Sequence, residues 1–203
     1  GCGKFSIETN YNTAHAPELQ RGRLVMFAKD SHKVGIITSV KRQLGRDGKG
    51  SMIVTAEGDE LKGILGRRIM LPTSGSAYFT VSGPAETVMK TIVNYQGGPL
   101  TADADRKFAL LEVDADAAGG DTYVSNTRYT TTALAELTAC ALATDMGFEV
   151  YLDTVNKKMR FGVIPGVNRV ATQSTNGRAI FSTDYDTLES ADITDSEANY
   201  LNY

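Results

Sequence analysis

Apolar and polar residues alternate from the first positions of the chain. Phe5, Ile7 and Thr9 stand against Lys4, Ser6 and Glu8, and this period of two predicts a half-buried strand over Gly3–Thr9. The polar stretch 10–22, with Pro17, reads as a loop; Arg23–Phe27 and Val34–Arg42 read as two more strands. Gly45-Arg46-Asp47-Gly48 carries a hairpin-type Asp-Gly pair, and Ser51–Ala56 returns as the partner strand. Four or more short strands with tight turns by residue 57 predict a small barrel or sandwich.

The stretch 57–96 is the one around which the chain is organised. Leu61, Ile64, Leu65 and Ile69 are apolar positions among charged residues and glycines, and Arg67-Arg68 closes the run. A glycine/serine loop follows Leu71-Pro72. Ser82-Gly83-Pro84 then reads as a helix start, with Pro84 at the first helical position, where its missing N–H costs nothing. Ala85, Val88, Met89, Ile92, Val93 and Gln96 recur at helical spacing, and Gly97-Gly98 ends the helix.

Downstream, Phe108–Val113 reads as a strand between acidic loops, and a second helix follows Thr130-Thr131-Thr132, where a hydroxyl can cap free N–H groups. Leu134, Leu137, Ala141 and Asp145 share one face of it, with Cys140 and Leu142 nearby, and Gly147 supplies the stop. Phe148, Val150 and Leu152, then Met159, Phe161 and Val163, alternate with polar residues about the turn 154–157, predicting a β-hairpin. The stretch 165–178 reads as a polar loop or edge segment, Ala179–Phe181 as a short strand, and 190–203 as polar. The fold class is α+β, mostly β. It comprises a small β-barrel over 1–66, incomplete at its start, an α+β domain over 67–190, and a connection at 191–203 into a second barrel.

With 203 residues, 41% of them hydrophobic, and a net charge of −3, the chain can bury one good core or two small ones. No run approaches the roughly 18 apolar residues that span a bilayer, so no membrane insertion is expected. A chain opening on Gly1, without Met and as though mid-strand, reads as a fragment or a partly ordered chain. Residues 1–68 hold 12 Lys+Arg against 7 Asp+Glu, and residues 69–203 hold 9 against 17, so the halves carry +5 and −8. Ordinary solvated faces are the simplest account; two surfaces with different neighbours are the alternative.

Candidate chemistry is sparse. Gly45 to Ser51 resembles a phosphate-binding loop but lacks the spacing and the following helix, so a hairpin is the better reading. Asp114, Asp116 and Gly119-Gly120 suggest a calcium loop, yet positions 5 and 12 of that loop fall on Ala118 and Ser125. Cys2 and Cys140 lack partners for a zinc site or a disulfide framework, and Cys140 reads as a small buried hydrophobe. His15 and His32 lie in no triad context. No catalytic residue, metal or cofactor is expected. Lys33, Lys41, Arg42, Arg46 and Lys49 form a basic group. Phe5, Tyr11 and Phe27 are the only aromatics before Tyr78, which is too few for stacking platforms. Sequence-specific nucleic-acid binding is therefore not expected, whereas an acidic protein partner stays open.

Five blocks, in order, carry a resemblance: GKFSIETN; RGRLVMF with KVGIITSV; LKGILGRRIMLP with SGPAETVMKTIV; YTTTALAELTACALATDMGFEVYLDTVNKKMRFGV; and IFSTDYDTLESADITDSEANYLNY. Together they resemble siphophage tail-tip proteins, which are similar to the baseplate hubs of contractile tails and to the N-terminal hub region of tail-associated lysins. The family-motif positions are Leu61, Gly63, Ile64, Leu65, Gly66, Arg67, Arg68 and Pro84. The resemblance implies a non-enzymatic virion protein of the tail tip, present in the host cytoplasm during assembly. It also implies a homotrimer whose tandem barrels mate with the distal tail ring above and a spike or fibre below. DNA and the tape-measure protein would leave through the central channel. The second barrel of that pattern is absent from this sequence. Two other readings are the non-catalytic part of a tail-associated peptidoglycan hydrolase and a host-carbohydrate-binding module using Tyr123, Tyr129 and Tyr151.

Overall fold

The computed structural model describes residues 2–44, 52–167, 169–182, 184 and 190. The chain divides into two units, Gly1–Pro165 and Gly166–Tyr203. The first holds all the regular strands and both α-helices of the described residues, in the order β1 (Lys4–Asn10), β2 (Leu24–Met26), β3 (Val34–Leu44), β4 (Met52–Glu60), β5 (Phe79–Pro84), α1 (Ala85–Gln96), β6 (Leu111–Val113), β7 (Thr122–Thr127), α2 (Ala133–Thr144), β8 (Gly147–Asp153) and β9 (Lys158–Ile164). The α+β, mostly-β class holds.

The first sheet is an antiparallel half-barrel in the order β1-β4-β3-β2. β3 and β4 pair from Gly35↔Glu60 to Leu44↔Met52, with a bulge between Ile37 and Ser39. A bulge increases local twist and bends the strand, which curls the sheet. The pairing matches the expected hairpin arms, while the Gly45–Ser51 turn lies outside the described residues. On one face Phe5, Gly58 and Ile37 lie side by side in register, as do Ile7, Ala56 and Val40. Ile37, Val54 and Ala56 are buried there. A Cβ on Gly35 would fall 2.2 Å from the Phe5 ring, and one on Gly58 2.2 Å from the Ile36 carbonyl oxygen. The two glycines let the ring lie flat against the sheet.

The main core is separate from that face. It joins Val34, Leu61, Ile64, Leu65 and Met70 to Phe79, the α1 residues Ala85, Val88, Met89, Ile92 and Val93, and Leu111. From the second half come Ala133, Leu137, Cys140, Met146, Val150 and Phe161. Residues Leu61–Arg67 form a 3-10 helix, so their apolar side chains enter the core of the α+β part. β6 lies parallel to β9, and β8 antiparallel to it. The inner face of this sheet (Leu111, Val150, Phe161) meets α1, and its outer face is polar.

Several local expectations shift. Pro84 is the last residue of β5 and caps α1 from outside, at φ −52° and ψ 140°, so it is not the first helical residue. Thr132 caps α2, accepting from the Ala135 N–H at 3.2 Å. The stop of α2 is Asp145, left-handed at φ 51°, and Gly147 instead opens β8. The inward stripe of α2 is Ala133, Glu136, Leu137 and Cys140, while Leu142 is 78% exposed. β5 and β7 pair as a two-stranded ribbon that the sequence pattern does not predict, since 82–84 reads as a helix start and 122–127 is given no element. In the second unit Ala179–Phe181 is irregular, although the Ala179 N–H donates to the Arg169 carbonyl at 2.9 Å.

Candidate interaction surface

The motif positions divide into core and scaffold. Leu61, Ile64 and Leu65 are at most 3% exposed. Gly63 sits where a Cβ would approach Cys2 Sγ to 3.1 Å, and Gly66 packs on Leu134. Arg67 is exposed. Arg68 stacks its guanidinium 3.9 Å from the Phe108 ring centroid and donates Nε–H to the Arg106 carbonyl at 2.5 Å. Burial first, then the charges of Arg106 and Arg67, hold the Arg68 pKa below its ordinary value. Arg106 donates in turn to the Ile69 carbonyl at 2.7 Å.

Gln96, counted at the sequence level as part of the helical stripe, does more than pack. It is 2% exposed, and its amide accepts from the Leu71 N–H at 2.8 Å and donates to the Leu71 carbonyl at 3.0 Å. The side chain thus stands in for a neighbouring strand and ties the extended segment after Arg68 onto α1.

A second staple holds the acidic loop. Glu86 and Lys90, one turn apart on α1, are both buried and ion-paired. Lys90 also donates to the Ala115 carbonyl at 2.5 Å, and Glu86 accepts from the Gly119 N–H at 2.9 Å. Thr87 adds a hydrogen bond to Asp116 at 2.7 Å. The hydrogen bond from Lys90, against the opposing effect of burial, lowers the Glu86 pKa. The i, i+4 spacing of Glu86 and Lys90 was visible in the sequence, but that spacing normally marks a solvated face.

The calcium-loop candidates have other partners. Asp114 receives the Arg160 Nε–H at 2.6 Å and the Tyr151 hydroxyl at 3.1 Å, and Asp116 receives Thr87 and the Ala118 N–H. Among the described residues no three His, Cys, Asp or Glu side chains converge as metal ligands. Arg160 also reaches Glu112 at 3.6 Å, and Lys158 reaches Glu112 at 3.1 Å. His32 stacks on Tyr151 with centroids 4.7 Å apart, and its Nδ1 lies 2.9 Å from Glu149 Oε1. The Leu152 N–H donates to the Ser31 carbonyl at 3.0 Å, so the β2–β3 loop is fastened to β8.

The three candidate tyrosines are not brought together by any ring contact. Tyr151 lies on the outer face of β8. Tyr123 donates to Glu136 at 3.3 Å, its phenol pushed up to about 12 by burial and then by the Glu136 charge. Tyr129 is 61% exposed in the turn after β7. Both cysteines are free, and burial, followed by Glu136, raises the Cys140 thiol to about 11. Of the basic group, Lys33 pairs with Asp30 at 3.5 Å, Lys41 and Arg42 are exposed, and Arg46 and Lys49 lie outside the described residues.

What the fold does present is sheet edges. The end strands of its sheets are β1 and β2 in the half-barrel, β5 and β7 in the ribbon, and β6 and β8 in the third sheet. Among the described residues each has a side that no other strand of its sheet covers, and such sides pair readily with further chains.

Comparison with known proteins agrees in extent with the resemblance read from the blocks above. No curated protein matches the chain, whereas the family described as siphovirus ReqiPepy6 Gp37-like protein matches residues 1–203. With its full length covered by that match, the chain belongs to the siphovirus ReqiPepy6 Gp37-like family and is a siphophage-type protein.

Proposed function

We propose that the chain is a structural protein of the siphophage tail tip, a hub that adapts the distal tail ring to a spike or fibre and works without catalysis. Family membership over the whole chain, which suggests a phage structural protein associated with the virion, is the observation that carries this reading. The uncovered strand edges support it, since neighbouring subunits of a ring can cover them. In this reading the protein assembles as a homotrimer in the host cytoplasm, and DNA and the tape-measure protein pass through its centre. A channel that releases DNA must not grip it, and a net charge of −3 suits that requirement.

Mass photometry of the full-length protein, alone and mixed with the distal tail ring protein, tests the proposal. A trimer, or a complex with the ring, is the expected result. A monomer that ignores the ring at micromolar concentration overturns it.

A further inference from the structure

Strand β3 outruns its neighbour. β2 pairs only with Val34–Ile36, and Ile37 exchanges backbone hydrogen bonds with Gly22 and Arg23. Past the bulge, the segment Ser39–Leu44 pairs with β4 on one side. On the other side it faces no backbone partner among the described residues. Lys41, Arg42, Gln43 and Leu44 are exposed.

Where β2 stops, a cleft opens along this bare edge, lined by Gln20, Arg21, Thr38, Ser39, Val40 and Arg42. Among the described residues neither of its guanidiniums enters an ion pair, and neither does Lys41; the pairs of the half-barrel go to Glu18, Asp30, Glu149 and Glu60. Glu57, opposite Ser39 on β4, accepts the Ser39 hydroxyl at 3.4 Å. Alternation places Val40, Arg42 and Leu44 on one face of β3 and Ser39, Lys41 and Gln43 on the other. A strand laid along the edge would therefore meet cations on both faces.

We propose that the edge Ser39–Leu44 receives an extended, acidic segment of a partner protein, added to the half-barrel in line with β2. Main-chain hydrogen bonds would hold it, and Arg21, Lys41 and Arg42 would select its charge. A nucleic-acid strand fits less well. The edge offers carbonyl oxygens as well as N–H groups, and the cleft lining has no aromatic side chain on which a base could stack. The inference rests on the half-barrel alone and is independent of a position at the tail tip.

The test is fluorescence anisotropy with the full chain and a labelled peptide of about eight residues alternating glutamate and valine. The expected result is saturable binding, weakened by high salt, at least about tenfold tighter than that of a lysine–valine peptide. Arg42→Glu and Arg21→Glu, both at exposed positions, should each weaken it severalfold while leaving the thermal melt unchanged. N-methylation of alternate peptide bonds in the probe should abolish binding, because it removes the donors that a strand edge needs. Equal affinity for the lysine–valine peptide, undiminished binding of the N-methylated probe, or no binding at all overturns the proposal. So does equal binding of a single-stranded oligonucleotide, which would make the surface a general anion patch. Self-association lost in Arg42→Glu and competed by the probe would assign the edge to a second copy of this chain, against the proposal.

Discussion

Replacing Lys90 with methionine isolates the staple between α1 and the acidic loop. The exchange keeps the length and apolar stem of the side chain but leaves the Glu86 carboxylate buried with only backbone N–H groups, those of Gly119 and Ala117, as partners. Removing one member of a buried ion pair costs about 3–5 kcal/mol, because the remaining charge stays desolvated. Glu86 can escape part of this by taking up a proton, so about 3 kcal/mol near neutral pH is the expected loss. For a unit of this size that lowers the midpoint of thermal unfolding by roughly 6–12 °C. Lys90→Met combined with Glu86→Leu removes both charges and should recover most of the loss, since an apolar pair of similar volume serves a core as well as an ion pair.

The pH dependence carries the sign. In the wild-type chain the Glu86 pKa is lowered, chiefly by the Lys90 hydrogen bond. Its contribution is therefore complete above the unfolded carboxylate pKa and is lost as pH falls through the folded value. In Lys90→Met the same carboxyl is buried without its cation, its pKa rises, and the deficit should shrink on acidification from pH 7 to 5. Urea unfolding followed by circular dichroism measures all four combinations. A single variant within about 1 kcal/mol of wild type, or a double variant no better than the single, would refute the reasoning.

Three further outcomes follow from the packing. Gln96→Ala strands the Leu71 N–H and carbonyl and should cost about 2–3 kcal/mol in urea unfolding, with faster amide exchange at Leu71. Gly35→Ala should cost about 1–3 kcal/mol through overlap with the Phe5 ring, and Phe5→Leu should relieve it, as a thermal-melt double-mutant cycle would show. Ile64→Asp puts an unpaired carboxylate into a position 3% exposed and should leave the chain without a cooperative near-ultraviolet melt; a wild-type melt would mean that the 3-10 segment is not core.

Much of the architecture could be read from the chain itself where a single element sets the pattern. The alternation in Lys4–Asn10 and in the pair Gly147–Asp153 and Lys158–Ile164 is local, as are the stripe of Ala85–Gln96 and the hydroxyl cap at Thr132. Each depends only on which side of one strand or helix meets water. β5 shows only Phe79 and Val81 before the helix-start signal of 82–84, and the inward positions of β7 are Tyr123, Ser125 and Thr127. A buried face built from hydroxyl-bearing side chains carries no hydrophobic period.

The remaining features needed tertiary structure, because their partners are distant in sequence or their meaning depends on burial. Nothing local distinguishes a buried Glu86–Lys90 pair from a solvated one, or tells Gln96 that Leu71 lies beside it. The His32–Glu149 contact joins residues 117 positions apart. The bare edge of β3 exists because β2 is three residues long and β3 eleven. Strand lengths can be estimated from pattern, but which side of a strand is left uncovered is decided only when the sheet has assembled.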